Sequence, residues 1–209
     1  MRLFVAVTPP RAALAELDAE VRALRAAAAG LPLRWTEPDS WHLTLAFLGE
    51  VPEEALPDLE ERLARAARRH EAHRLSLAGG GRFGDRALWA GVRGDTPALR
   101  RLAASVQAAA RRAGAPAADD DRPYRAHLTL ARSSVPRGAP HRPPRGTPDR
   151  DRPDLRALAA ELAGFRGTAW EAVEVQLVRS LLGAGPARYT VLRSWPLGRP
   201  PAGEGGTPE

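Results

Sequence analysis

The pentapeptide HLTLA occurs twice, at residues 42–46 and 127–131. In an extended chain alternate side chains share a face. The first copy therefore places His42, Thr44 and Ala46 on one face, and Leu43, Leu45 and Phe47 on the other. The second copy places His127, Thr129 and Ala131 opposite Leu128 and Leu130. The leucines suit a core, which leaves two His/Thr faces to line something polar. Imidazole titrates near neutrality, so one ring can be neutral while the other is protonated, with the limbs of a bell-shaped pH profile around neutrality. Such a pair can take a proton from a nucleophile and give one to a leaving group. Two threonine hydroxyls and nearby backbone amides can hold an oxyanion between them. The natural occupant is a phosphodiester, provided the two faces meet across one cleft about a pseudo-twofold axis.

A single histidine on a half-buried strand is commonly structural, and threonine is an ordinary strand residue. The recurrence in matching slots is what argues for a site. The remaining histidines lack that context. His70 and His73 are read as closing a helix among arginines, where a cation suits the C-terminus. His141 falls in a Pro-rich segment. A metal site needs a third ligand at suitable spacing, and neither HxT has an acidic neighbour. The run Asp119–Asp121 reads as a solvated loop. No metal and no cofactor are expected. Trp35, Trp41, Phe47, Trp89, Tyr124 and Tyr189 are assigned to the core or the rim, with one or two available to stack on a nucleobase.

The elements that position these residues follow from periodicity and punctuation. Leu3–Val7 reads as a buried strand. A helix follows, capped by Thr8 with Pro9 at its first position, striped by Leu14, Leu17, Val21 and Leu24, and stopped by Gly30. Then come a strand over 42–48, a helix over 53–70, and a strand over 74–77 closed by the glycines at 79–81. The order repeats with a strand over 87–92 and a helix capped by Thr96 and Pro97, carrying Leu99, Leu102, Val106 and Ala109. A strand over 127–133, a helix over 154–163 and a strand over 172–178 complete the second half, and 188–195 adds a last strand. Val5 and Ala90, the first-strand centres, each lie 37 residues before the motif histidine. This is an internal duplication of strand, helix, strand, helix, strand. The fold class is α+β, with residues 1–195 as one two-lobed domain. The segment 136–153 is read as a flexible Pro/Arg-rich loop and 196–209 as a disordered tail.

With 209 residues and 44% hydrophobic content, the chain can bury a sizeable core. Cysteine is absent, which removes disulfides, thiol catalysis and Cys-based zinc sites. No apolar run approaches a membrane span and the N-terminus lacks a signal-peptide stretch, so a cytoplasmic address and no membrane partner are expected. The net charge is +6 and every Lys/Arg position is arginine. Lysine, isoleucine and asparagine are all missing. That pattern matches a GC-rich codon bias and lends the arginine excess little weight by itself.

The repeated HxTx motif resembles the two-histidine phosphoesterase superfamily, closest to the bacterial and archaeal RNA 2′,3′-cyclic phosphodiesterases, historically called 2′-5′ RNA ligases. The likeness rests on four stretches in order: RLFVAV, WHLTLAFLGEV at 41–51, RPYRAHLTLAR at 122–132 and ARYTVLRSWPL at 187–197. It implies antiparallel sheets forming a V-shaped cleft with helices outside. It also implies His42 as proton donor, His127 as proton acceptor, and Thr44, Thr129 and Arg132 as phosphate ligands. The implied reaction opens 2′,3′-cyclic phosphate ends of RNA or nucleotides to 2′-phosphomonoesters without a metal, by a monomer. Strict alternation puts Arg132 on the wrong face, five residues past His127, unless a strand end or a bulge after Leu130 re-aims it. Alternatives are ligation by the reverse reaction, a non-catalytic nucleotide-binding module, and action on another cyclic phosphodiester such as ADP-ribose 1″,2″-cyclic phosphate. The lack of lysine excludes a ligase working through a lysyl-nucleotide. Intact histidines in both motifs argue against a dead site.

Overall fold

The computed structural model describes residues 1–115, 123–135, 154–181 and 187–198. Two antiparallel sheets and four helices build it. In chain order the elements are β1 (Arg2–Val7), α1 (Arg11–Ala27), β2 (Leu33–Trp35), β3 (Leu43–Glu50), α2 (Leu56–Ala67), β4 (His73–Phe83), β5 (Ala87–Gly94), α3 (Thr96–Arg112), β6 (His127–Ser133), α4 (Leu155–Glu161), β7 (Trp170–Ala172), β8 (Glu174–Leu181) and β9 (Arg188–Pro196). The first sheet has the order β3-β1-β8-β9, the second β2-β6-β5-β4-β7.

The duplication is real, but the lobes are not the two halves of the chain. β1 pairs with β3, and β5 pairs with β6, as equivalents. The third strand of each half crosses over. β4 comes from the first half and pairs with β5, while β8 comes from the second half and pairs with β1. Each sheet thus contains two strands from the other half, β8 and β9 in the first and β2 and β4 in the second. The helices bury their stripes against one shared core, with Leu17 and Val21 of α1, Leu59 and Leu63 of α2, and Leu99, Leu102 and Val106 of α3 fully enclosed. None of the described helices is long and apolar enough to cross a membrane.

Local differences from the expected elements have local causes. α1 starts at Arg11, with Pro10 at its N-cap. A residue before proline is pushed out of the helical region, so Pro9 cannot open the helix ahead of Pro10. Thr8 instead donates its hydroxyl to Gln176 Oε1 at 2.8 Å. Asp95, not Thr96, caps α3, its carboxylate accepting from the Ala98 N–H at 2.9 Å. α2 ends at Ala67, so His70 and His73 lie beyond it. His73 is buried in β4, and the His70 ring meets Ser105 Oγ at 2.8 Å. Burial, with Arg101, His73 and Arg69 adding to it, lowers the His70 pKa. His70 is therefore not the helix-terminal cation that its neighbours suggested.

The glycines at 79–81 lie inside β4 and do not end it. A Cβ at Gly81 would run into the Trp89 indole, and one at Gly80 would sit 2.6 Å from Leu162 Cβ. Their role is to let neighbouring side chains lie flat on the strand. At the other end of the chain Pro196 closes β9, and Leu197 packs into the core with its N–H on the Val173 carbonyl at 2.8 Å. The expected loop at 136–153 and the expected tail from residue 199 onward lie outside the described residues.

Candidate active site

Both motifs carry the same backbone irregularity at the same place. On β3, Ala46 pairs with Val5 but Thr44 pairs with Ala6, so Leu45 is an extra residue. On β6, Ala131 pairs with Leu88 but Thr129 pairs with Trp89, so Leu130 is extra. Each is a β-bulge, two residues opposing one. Each bulge carbonyl finds a donor: Leu45 O accepts from Gln107 Nε2 at 3.3 Å, and Leu130 O from the Thr36 N–H at 2.8 Å. The bulge resets the alternation. Leu130 and Ala131 are both buried, and Arg132 emerges on the face of His127 and Thr129. The bulge that Arg132 requires is thus present. By the same step Phe47 reaches the His42 face and is 53% exposed. The residue five past each histidine differs: phenylalanine in one sheet, arginine in the other.

The imidazoles are held alike. His42 Nδ1 is 2.8 Å from the Ser40 carbonyl, and His127 Nδ1 is 2.7 Å from the Arg125 carbonyl. A carbonyl only accepts, so Nδ1 carries the proton in both rings, and Nε2 is the atom left for chemistry. Neither Nε2 has a protein partner among the described residues, nor is either among the buried unpaired atoms, so both face solvent. His73 shows the contrast. It makes the same contact to a carbonyl two residues back, Glu71 O at 3.1 Å, but its Nε2 is sealed in the core.

Each histidine is walled by two aromatic rings. His42 stacks on Phe4 at 4.6 Å between centroids and meets the edge of Tyr189 at 5.3 Å. His127 meets Phe83 edge-on at 4.8 Å and Trp89 at 6.2 Å. Phe4, Ala6 and Val178 form a small buried cluster separate from the main core. Trp89 lies over Gly81, with the Arg125 guanidinium 5.7 Å from its ring centre. The repeat offset contains this information: Phe4 and Trp89 each stand 38 residues before their motif histidine. Sequence reasoning passed over Phe4 and Phe83, although that offset pointed to the first of them. Trp41, by contrast, is core.

Apolar walls cost the imidazoles their charge. Burial pulls the His42 pKa down to about 4. The Ser40 carbonyl opposes this, and the charges of Arg132 and His127 add to the lowering. Burial also lowers the His127 pKa, again opposed by a carbonyl, that of Arg125, and reinforced by Arg132 and Arg125. In the free protein both rings are therefore neutral at pH 7, rather than one neutral and one charged. Arg132 lowers the pKa of both rings, so its charge lies within electrostatic reach of both motifs. Thr44 and Thr129 are half-buried on the same faces. The arrangement offers two Nε2 atoms, two hydroxyls and one guanidinium to an anion. Among the described residues no three His, Cys, Asp or Glu side chains cluster to hold a metal ion.

A family model described as LigT-like phosphoesterase matches residues 7–93. A Thermus thermophilus protein named RNA 2′,3′-cyclic phosphodiesterase is 34% identical over 209 residues, covering 94% of this chain and 90% of that protein. This chain belongs to the LigT-like phosphoesterase family. An Escherichia coli relative of the same name is 30% identical, covering 94% of this chain and 96% of its own. A Geobacillus stearothermophilus relative, also so named, is 32% identical, and this chain spans 53% of its length. The LigT-like fold is equally clear in solved structures. E. coli LigT complexed with 3′-AMP superposes with a TM-score of 0.68 at 30% identity, over 95% of this chain and 98% of that one. In the LigT-like phosphoesterase described here, the two HxT motifs lie at the starts of the equivalent strands β3 and β6, one in each sheet.

Proposed function

We propose that this protein hydrolyses 2′,3′-cyclic phosphate ends of RNA or nucleotides to 2′-phosphomonoesters. The observation that carries this reading is the matched pair of imidazoles, each fixed through Nδ1 and presenting a free Nε2 beside Arg132. The relatives' name and E. coli LigT's complex with 3′-AMP supply the substrate class.

In this reading His127 Nε2 takes a proton from water as its oxygen bonds to phosphorus. The bond from phosphorus to the 3′ oxygen breaks, and His42 Nε2 gives that oxygen its proton. Thr44, Thr129 and Arg132 hold the non-bridging oxygens as charge develops on them. The acid must arrive protonated, although both rings are neutral in the free protein. The phosphodiester solves this. Its negative charge offsets Arg132 and favours imidazolium, so substrate and proton bind together. No step needs a metal or a nucleotide cofactor. The protein acts as a monomer in the cytoplasm.

Phosphorus NMR of the product from a 2′,3′-cyclic nucleotide, with excess EDTA present, tests the reading. Turnover to a pure 2′-phosphate is expected. A pure 3′-phosphate would reverse the roles of His42 and His127. Loss of turnover in chelator, restored by a divalent ion, would replace acid–base catalysis with metal chemistry.

A further inference from the structure

β2 is a three-residue strand at the edge of the second sheet, and its residues split by face. Leu33 and Trp35 pack against the core. The Arg25 guanidinium holds Trp35 from above, 5.5 Å from the ring centre, while pairing with Glu37 at 3.3 Å. Arg34 points the other way and is exposed. Its partner across the antiparallel pair is Arg132, which lies on the cleft face because of the Leu130 bulge. Directly opposed residues share a face, with Cβ atoms about 5 Å apart. The sheet therefore sets two guanidiniums side by side on the wall that carries His127 and Thr129.

Like charges directly opposite each other weaken a strand pair. Arg34 has no ion pair or hydrogen bond among the described residues, unlike Arg25, Arg62, Arg65, Arg82 and Arg193, which each hold a carboxylate. On the other side of Arg132 stands Ala87, which supplies no counter-charge. An uncompensated pair of arginines on a cleft wall is most simply balanced by a second anionic group. Arg132 is near enough to both histidines to depress their protonation, so it belongs to the reacting phosphate. Arg34 stands one strand further out, about 4.8 Å away.

We propose that Arg34 forms a second phosphate subsite, binding the phosphodiester that precedes the cyclic end of an RNA chain. The inference rests on the hydrolase reading above. A cyclic mononucleotide has no such phosphate, and an oligonucleotide does. Arg34 thereby makes the protein favour RNA ends over free cyclic nucleotides. A guanidinium suits the task because it stays charged and can grip two phosphate oxygens at once.

The test measures kcat/KM on a 2′,3′-cyclic-ended oligoribonucleotide and on the matching cyclic mononucleotide, for the wild type and Arg34→Gln. The oligonucleotide-to-mononucleotide ratio should fall about tenfold in the variant, the weight of one charged phosphate contact, and the change should lie in KM. A second measurement replaces the penultimate phosphodiester with a neutral methylphosphonate. The wild type should lose its preference on that substrate, and Arg34→Gln should not respond to the replacement. An unchanged ratio in the variant, or equal sensitivity of both proteins to the methylphosphonate, overturns the subsite. If the wild type turns over neither substrate, the hydrolase reading falls, and the subsite with it.

Discussion

The two walls of the cleft are built on one backbone plan and finished with different chemistry. Both have a histidine tied to a carbonyl two residues back, a threonine, and a bulge that brings the residue five past the histidine onto its face. The first wall then presents Phe47, Phe4, Tyr189 and Val191, an apolar surface with three of the four residues well exposed. The second presents Arg132 and Arg34, with Arg125 over Trp89. What the duplication preserves is the device that aims Nε2. What it lets diverge is the side chain delivered by the bulge. Symmetric tools thus stand between two chemically different surfaces, one apolar and one cationic.

The largest expected effect comes from the shared part. His42→Ala and His127→Ala should each lower the rate by roughly two to four orders of magnitude, the usual weight of one acid–base group, while circular dichroism remains native. Near wild-type turnover in either folded variant would break the paired mechanism. Next comes the divergent part. Arg132→Ala should cost on the order of a hundredfold in kcat, as for other preorganised charge stabilisers. Phe47→Ala, at the equivalent slot, should stay within about tenfold and act through KM, as lost stacking or apolar contact would. Equal effects at the two positions would show that the difference between the walls does not act on the substrate.

The smallest effect is one of pH. The lowered imidazole pKa values belong to the free protein, and kcat/KM reports the free protein. One ring must be protonated to act, so the kcat/KM optimum should lie below pH 6.5. The kcat profile reports the complex, in which phosphate raises the acid's pKa, so its basic limb should lie higher. Coincident profiles would mean that substrate does not bring the proton with it.

Much of the site was legible in the sequence because its signals are local. The first three residues of each HLTLA alternate as read, with leucines buried and Thr44, His127 and Thr129 half-buried, whereas the bulge turns Ala46 and Ala131 into the core instead of onto the histidine face. β6 spans 127–133, as the pattern predicts. The face of Arg132 was less legible. It depends on a bulge set by pairing between β5 and β6, and alternation within one strand cannot encode that register. The three-residue β2 carries too little pattern to be found, and with it Arg34 was missed. The glycines at 79–81 read as a strand ending because glycine usually punctuates. Here they make room for Trp89 and Leu162, neighbours distant in sequence. The exchange of third strands was also hidden, because the linear order strand, helix, strand, helix, strand is identical whether β4 and β8 stay at home or cross.

That exchange governs how the molecule assembles. Phe4 pairs with Val178, 174 residues away, so the first sheet cannot be completed until nearly the whole chain is available. Such distant pairings carry a large loop-closure entropy and slow folding. Cutting the chain in the turn between β4 and β5 would leave each fragment with strands that fit the other's sheet and an open edge where the other fragment's third strand belongs. Neither fragment holds a complete sheet of its own. Mixed together, the two fragments can satisfy each other's edges. Kept apart, each can do so only by trading strands with its own copies, the route to domain-swapped dimers.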